Sequence, residues 1–221
     1  VFANPWRFQP NPEVYLLVAF LVGAYVYMVR TIGPTAVPAG TRPISRRNLV
    51  SFVLAMVVLF AASTYPIHQI GEEYLYSVHM VQHMLISMIA PIFFALGAPV
   101  TLALRTFVRP LHSALLWLLH SRYMKILAFP IVSGAIAVAN PWALYFTPFY
   151  EATLRNPLLH NFNHLHFLVV GCIWFWSLIG IDPMPRMGYP LRMLAVFITL
   201  PFHAFLGVTL MGSQTLIAGG Y

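Results

Sequence analysis

Four of the chain's nine histidines stand in two pairs of identical spacing, inside segments that otherwise lack charge. The first pair is His79 and His83, in "YSVHMVQHML" at 76–85, and the second is His160 and His164, in "HNFNHLH" at 160–166. Residues four apart share one face of a helix, so each pair projects two imidazoles in one direction. Two such helices facing each other can supply several nitrogen ligands to one or two metal ions. Met80, Met84 and Met88 form an adjacent i, i+4, i+8 stripe. Thioether with imidazole suits Cu(I), while hard cations are disfavoured because the apolar runs offer almost no carboxylates. Each feature also has a plainer reading. Methionines fill space between helices, and a single buried histidine commonly makes an interhelical hydrogen bond. Ionisable groups are costly inside a bilayer, however, and two pairs of matched spacing favour a shared site.

The elements that must position these side chains are transmembrane helices. The chain is 60% apolar and 8% charged, roughly a third of the charge of an average soluble domain. Its mean hydropathy is +0.78. Six runs read as spans: Val14–Val29, Leu49–Tyr65, one within Tyr74–Leu104, Ile126–Phe146, Leu158–Gly180 and Met193–Gln214. All are too long for strands and none alternates with period two. The segment Pro99–His120 carries Arg105, Arg109 and Pro110. Two arginines at mid-span would each cost about 2.5–3.5 kcal/mol, so the segment is expected to lie along the interface as an amphipathic stretch.

Loop charge supports that choice. If Pro99–His120 does not cross, Arg30, Arg42, Arg46, Arg47, Arg105, Arg109, Arg122, Lys125, Arg186 and Arg192 fall on one side, and only Arg7 and Arg155 on the other. Ten basic residues against two is a strong positive-inside signal, and it nearly vanishes if the segment crosses. The expectation is an all-α, polytopic transmembrane bundle of about six spans plus one amphipathic interfacial segment, a single domain over 1–221, with both termini outside the cytoplasm. Breaks are expected at Gly33–Pro34, Gly97-Ala98-Pro99, Asn140–Pro141 and Asp182-Pro183-Met184-Pro185. The opening "VFANPWRFQPNPE" is too polar and Pro-rich for a signal peptide, so targeting falls to the first span. The net charge of +7 reads as loops facing an anionic leaflet. No basic helix or aromatic-basic motif supports nucleic-acid binding.

On this topology the third and fifth runs both enter from the outer surface. His79 then lies about 8 Å deep and His83 about 14 Å deep, at the helical rise per residue. His203 sits near the middle of the last run, two residues after Pro201, where a kink can open space. His68 falls at the outer end of the second run and is a possible further ligand. His166 points about 200° round the helix from His164, which takes it away from the pair, though it remains a possible ligand. His112 and His120 belong to the interfacial segment. Cys172, two turns below His164, reads as packing or as a ligand, and a lone cysteine excludes an internal disulfide or a CxxC site.

Several chemistries lack their parts. "HMVQH" is not HExxH and has no glutamate to act as general base. No nucleophile elbow, Walker motif or dinucleotide fingerprint occurs, and no intramembrane acids form a proton relay. Ligands without a base favour holding or passing a metal over turning over a substrate. Two alternatives stay open. Facing histidines can bind haem b axially for electron transfer, although a two-haem path needs an inner pair that is missing. A histidine-bound zinc can serve a membrane hydrolase, but Glu72, Glu73 and Glu151 all fall in loops.

The block "HMVQHMLISMIAPIFFALGAPVTLALR" (79–105) resembles the signature of the CtaG family, the polytopic cytochrome c oxidase assembly factors rather than the single-span copper chaperone that shares the name. "HNFNHLHFLVVGCIWFWSLIGIDPMP" (160–185) and "PFHAFLGVTLM" (201–211) extend the resemblance, and "NPWRFQPNPEVYLL" does so loosely. The resemblance implies a role in maturing haem-copper oxidases in the bacterial plasma membrane, with copper delivered to oxidase subunits, and no catalysis. A copper chaperone outside the cytoplasm would be a further partner. It carries the family's histidine positions onto His79, His83, His160, His164 and His203, with Met80 and Met84 as possible helpers. Family members also continue past "LIAGGY" with another apolar segment.

Overall fold

The computed structural model describes residues 11–32, 44–73, 75–183 and 188–212, apart from the side chains of Glu72, Glu73, Tyr76, Leu154 and Met211. Arg7, Arg42, Arg186, Gly33–Pro34 and Met184–Pro185 lie outside the described residues. Every regular element within them is a helix. Five helical stretches are long and apolar enough to cross a membrane. They are α1 (Pro12–Thr31), α2 (Arg46–Ser63), the stretch Ser77–Leu96, α11 (Pro157–Ile179) and α12, Tyr189–Gly212. The third is a composite of α4 (Tyr76–Met84), one π-helical turn at Leu85–Ile89 and α5 (Ala90–Leu96). Their outward faces carry exposed Leu16, Phe20, Phe197 and Phe205, as a hydrocarbon surround requires.

Local chemistry sets the helix ends. Pro12 opens α1, with Glu13 in its first turn and Arg30 in its last, complementing the helix dipole. The Ser45 hydroxyl caps α2 by accepting from the Asn48 amide. Pro157 opens α11 behind Asn156, whose side chain accepts from Leu158 N at 3.0 Å. Gly180 closes α11 in the left-handed region at φ 65°.

The fourth of the six expected spans is the exception. The stretch Ile126–Phe146 divides into α8 (Arg122–Leu127) and α9, Pro130–Tyr145. At 16 residues α9 is about 24 Å long, short of a hydrocarbon core of about 30 Å. Pro130 is the cause, because it starts a new helix and cannot continue the old one. The Asn140–Pro141 pair does not break the chain, since Pro141 lies inside α9.

The segment Pro99–His120 forms two helices, α6 (Pro99–Thr106) and α7 (Arg109–His120). Their lengths of 8 and 12 residues correspond to about 12 and 18 Å, so neither can span. The turn before α6 is held from three directions. Ala98 takes a left-handed conformation at φ 50°. The carbonyls left open at the end of α5 are satisfied by side chains, Asn48 Nδ2 donating to Leu96 O at 2.9 Å and Tyr25 Oη to Gly97 O at 3.0 Å. Asp182, from the turn after α11, accepts from the Thr101 amide at 2.7 Å and the Thr101 hydroxyl at 2.6 Å. Burial pushes the Asp182 carboxyl above the usual carboxylate range, against the pull of these Thr101 donors.

Two contacts fix the register of the core. Helices α4 and α11 run parallel: His83 meets His164, and Ser87 and Pro91 meet Gly171. Helix α9 runs antiparallel to α11, with Ser133 Oγ 3.2 Å from Ser177 Oγ and Asn140 Oδ1 3.0 Å from His166 Nε2. Gly171 allows the closest approach, since a Cβ there would lie 2.1 Å from the Ser87 carbonyl oxygen.

Candidate metal centre

The parallel register brings both histidine pairs to one end of the bundle. His79 and His160 lie in the first turns of α4 and α11, and His83 and His164 lie one turn deeper. The short helix α3 (Ile67–Glu73) lays His68 over them. Helix α3 comes close because Gly71 lacks a side chain; a Cβ would lie 2.9 Å from the His79 backbone nitrogen. Within a pair, ring centroids are 4.3 Å apart for His79–His83 and 4.4 Å for His160–His164. Between helices they are 5.7 Å for His79–His160 and 5.1 Å for His83–His164. His68 lies 6.2 Å from His160 and 5.9 Å from His164. Imidazoles sharing a tetrahedral ion with bonds of ~2.0 Å would have centroids roughly 5 Å apart.

The four paired histidines are buried, His79 completely, while His68 is half-buried. Among the described residues no three His, Cys, Asp or Glu side chains already stand in a ligand arrangement around one point. Hydrogen bonding explains part of this. His83 Nε2 and His164 Nε2 are 3.2 Å apart, so one of them carries the proton between them. That separation is close to the edge of a tetrahedron with bonds of ~2.0 Å. An ion could replace the proton if both lone pairs became available.

Tyr145 controls that availability. Its hydroxyl lies 2.9 Å from His83 Nδ1. A hydroxyl both donates and accepts. When it donates, His83 carries its proton on Nε2. When it accepts from Nδ1–H, Nε2 is freed for a ligand bond, the usual outer arrangement of a metal-bound histidine. Gln82, fully buried one residue before His83, places Nε2 2.8 Å from His68 Nδ1. Tyr145→Phe keeps the ring and removes the hydroxyl. We expect metal affinity to fall about 10–100-fold with thermal stability nearly unchanged, measured by competition titration alongside a melting curve.

Two of the residues singled out in the sequence fall elsewhere. His166 is exposed and bonds Asn140, because two residues turn it away from His164. His203 makes no ring contact with the cluster; it lines an adjoining cavity of about 410 Å³ with His83, Met80, Met84 and Met88. Cys172 is buried among core side chains. Tyr145 had no signal in the sequence, as it reaches His83 across 62 positions. Gln82 stood in plain view inside "HMVQH".

Charge divides the bundle. Among the described residues Arg30, Arg46, Arg47, Arg105, Arg109, Arg122, Lys125 and Arg192 belong to helix ends and connections away from the cluster of His68, His79, His83, His160 and His164. Arg155, paired with Glu151, precedes α11 at the histidine end.

The sequence profile of a family described as cytochrome c oxidase caa3 assembly factor matches residues 23–221. Uncharacterized proteins of Mycobacterium bovis and Mycobacterium tuberculosis are each 38% identical over 187 residues, covering 81% of this chain and 28% of theirs. An uncharacterized protein of Mycobacterium leprae is 36% identical over 231 residues, covering 100% of this chain and 33% of its own length. The chain therefore spans about a third of the length of these relatives or less. No solved structure matches it.

Proposed function

Since this chain belongs to the cytochrome c oxidase caa3 assembly factor family, we propose that it handles copper within the membrane and delivers it to a haem-copper oxidase. The observation that carries this reading is the convergence of His68, His79, His83, His160 and His164 at one end of the helix bundle. Copper is cargo here. Neutral imidazoles bind it without the near-irreversibility of a closed thiolate cage, and neighbouring thioethers favour the Cu(I) state.

The positive-inside rule puts the arginine-rich end in the cytoplasm of a bacterial cell and the histidines toward the outer face. Copper, free or carried by a chaperone outside the cytoplasm, reaches the cluster there. Oxidase subunits in the same membrane receive it. We read the chain as an assembly factor whose residues act by binding and exchange rather than as a catalyst. The haem alternative fits less well. Axial histidines stand about 4 Å apart across an iron with a porphyrin between them, whereas the His83 and His164 nitrogens meet directly at 3.2 Å. The zinc-hydrolase alternative lacks a described carboxylate at the cluster.

The test is the copper content of the oxidase in cells. Membranes from cells expressing the His79→Ala/His164→Ala variant at normal abundance should yield oxidase with haem present and copper depleted. Full copper occupancy at limiting copper would refute the proposal.

A further inference from the structure

The cavity beside the cluster has a ligand set of its own. It lies between α4 with its π turn, α9, α11 and α12, and Met80, Met84 and Met88 line it along one edge. In a regular helix three residues at i, i+4 and i+8 drift steadily around the axis. The π turn at Leu85–Ile89 begins just after Met84 and contains Met88, and its wider winding offsets that drift, leaving all three lining the same space. His203 enters from α12 on the other side. Its Nδ1 lies 3.0 Å from the Thr199 carbonyl. A carbonyl only accepts, so Nδ1 carries the proton and Nε2 is left as a lone pair. A metal-binding histidine is held in the same way, by an outer hydrogen bond on its second nitrogen. Among the described residues no carboxylate or thiol lines the cavity, and His83 belongs to both this space and the histidine cluster.

We propose that this cavity is a second metal station, distinct from the cluster, which takes a soft monovalent cation on His203 and the three thioethers. Hard divalent ions find no oxygen anions there, and Zn(II) prefers the imidazoles of the cluster. His83 joins the two stations, so a soft ion can move from imidazole ligands to mixed imidazole and thioether ligands by stepwise exchange, with no redox change. Helix α12 then forms the side of the station from which the ion leaves. The binding claim stands on the cavity alone; only the direction of transfer rests on the proposed function.

The experiment titrates the purified chain with Ag(I), and separately with Zn(II). Wild type should bind one more equivalent of Ag(I) than of Zn(II). Met80→Leu/Met84→Leu/Met88→Leu nearly conserves volume; it should lose that additional Ag(I) and keep its Zn(II). His203→Ala should weaken the same Ag(I) equivalent by about tenfold or more. Retained Zn(II) binding shows that each variant is folded. His79→Ala/His164→Ala should lose Zn(II) and keep the cavity's Ag(I). If the methionine variant takes up as much Ag(I) as wild type with the same affinity, the second station is wrong. If Zn(II) is never bound while the cavity's Ag(I) persists, the cluster reading falls and this one stands.

Discussion

Gly171→Leu is expected to weaken metal binding at the cluster by about tenfold or more without touching a histidine. Even the first added carbon is too much, since a Cβ at Gly171 would lie 2.1 Å from the Ser87 carbonyl oxygen, 2.9 Å from its carbon and 2.7 Å from Pro91 Cγ. Two of these atoms are backbone in the π turn, so no rotamer change relieves the clash. The helices carrying the two histidine pairs must separate by more than an ångström, a figure on the order of what core packing resists. Membrane helices rely on such close approach because lipid supplies no hydrophobic drive between them. Overpacking costs about 1–3 kcal/mol when the surroundings adjust, and here the adjusting part is the helix pair itself. A lowered melting temperature in detergent and metal affinity reduced by about tenfold or more are the expected readings. Gly134→Ala is the comparison. Its Cβ would meet the outer edge of the Trp174 ring at 2.7 Å, a side chain that can tilt, so its effect should be smaller. Equal, mild effects from both substitutions would contradict the packing account.

The second large effect comes from removing one imidazole from each helix. A single His→Ala change leaves four rings at the cluster, enough for a tetrahedral set after adjustment. His79→Ala with His164→Ala removes the His79–His160 and His83–His164 contacts together. Of the three histidines left, His68 and His160 are 6.2 Å apart, and His83 has lost its partner across the interface. Losses at residues that act as a unit are not additive. The double variant should bind copper more than about 100-fold more weakly, well beyond the cost of an outer-sphere change. Each single variant should lose much less. Competition titration against a chelator of known affinity measures both.

The pairs and their shared depth were legible in the sequence, because spacing of four fixes a helical face and hydropathy fixes an approximate depth. That Pro99–His120 forms no single long span was legible for a similar reason, as its arginines argue against a continuous helix through hydrocarbon. What lay hidden was the way the faces meet. The parallel register of α4 and α11 depends on Gly171 fitting against Ser87, and one glycine among 13 carries no mark of that. Tyr145 reaches His83 only because α9 packs antiparallel to α11. An approximate depth and the family resemblance grouped His203 with the cluster, whereas the placement of α12 sends it to the neighbouring cavity. The length of α9 was overestimated because hydropathy reads through Pro130, while backbone hydrogen bonding does not.

X-ray absorption at the metal edge of the purified chain, loaded with one equivalent of Zn(II), bears most directly on whether α4 and α11 share an ion. Three or more imidazole shells at about 2.0 Å are predicted, falling in number when either His79→Ala/His83→Ala or His160→Ala/His164→Ala is introduced. A spectrum of oxygen ligands, or one indifferent to the loss of either helix's pair, would contradict the account.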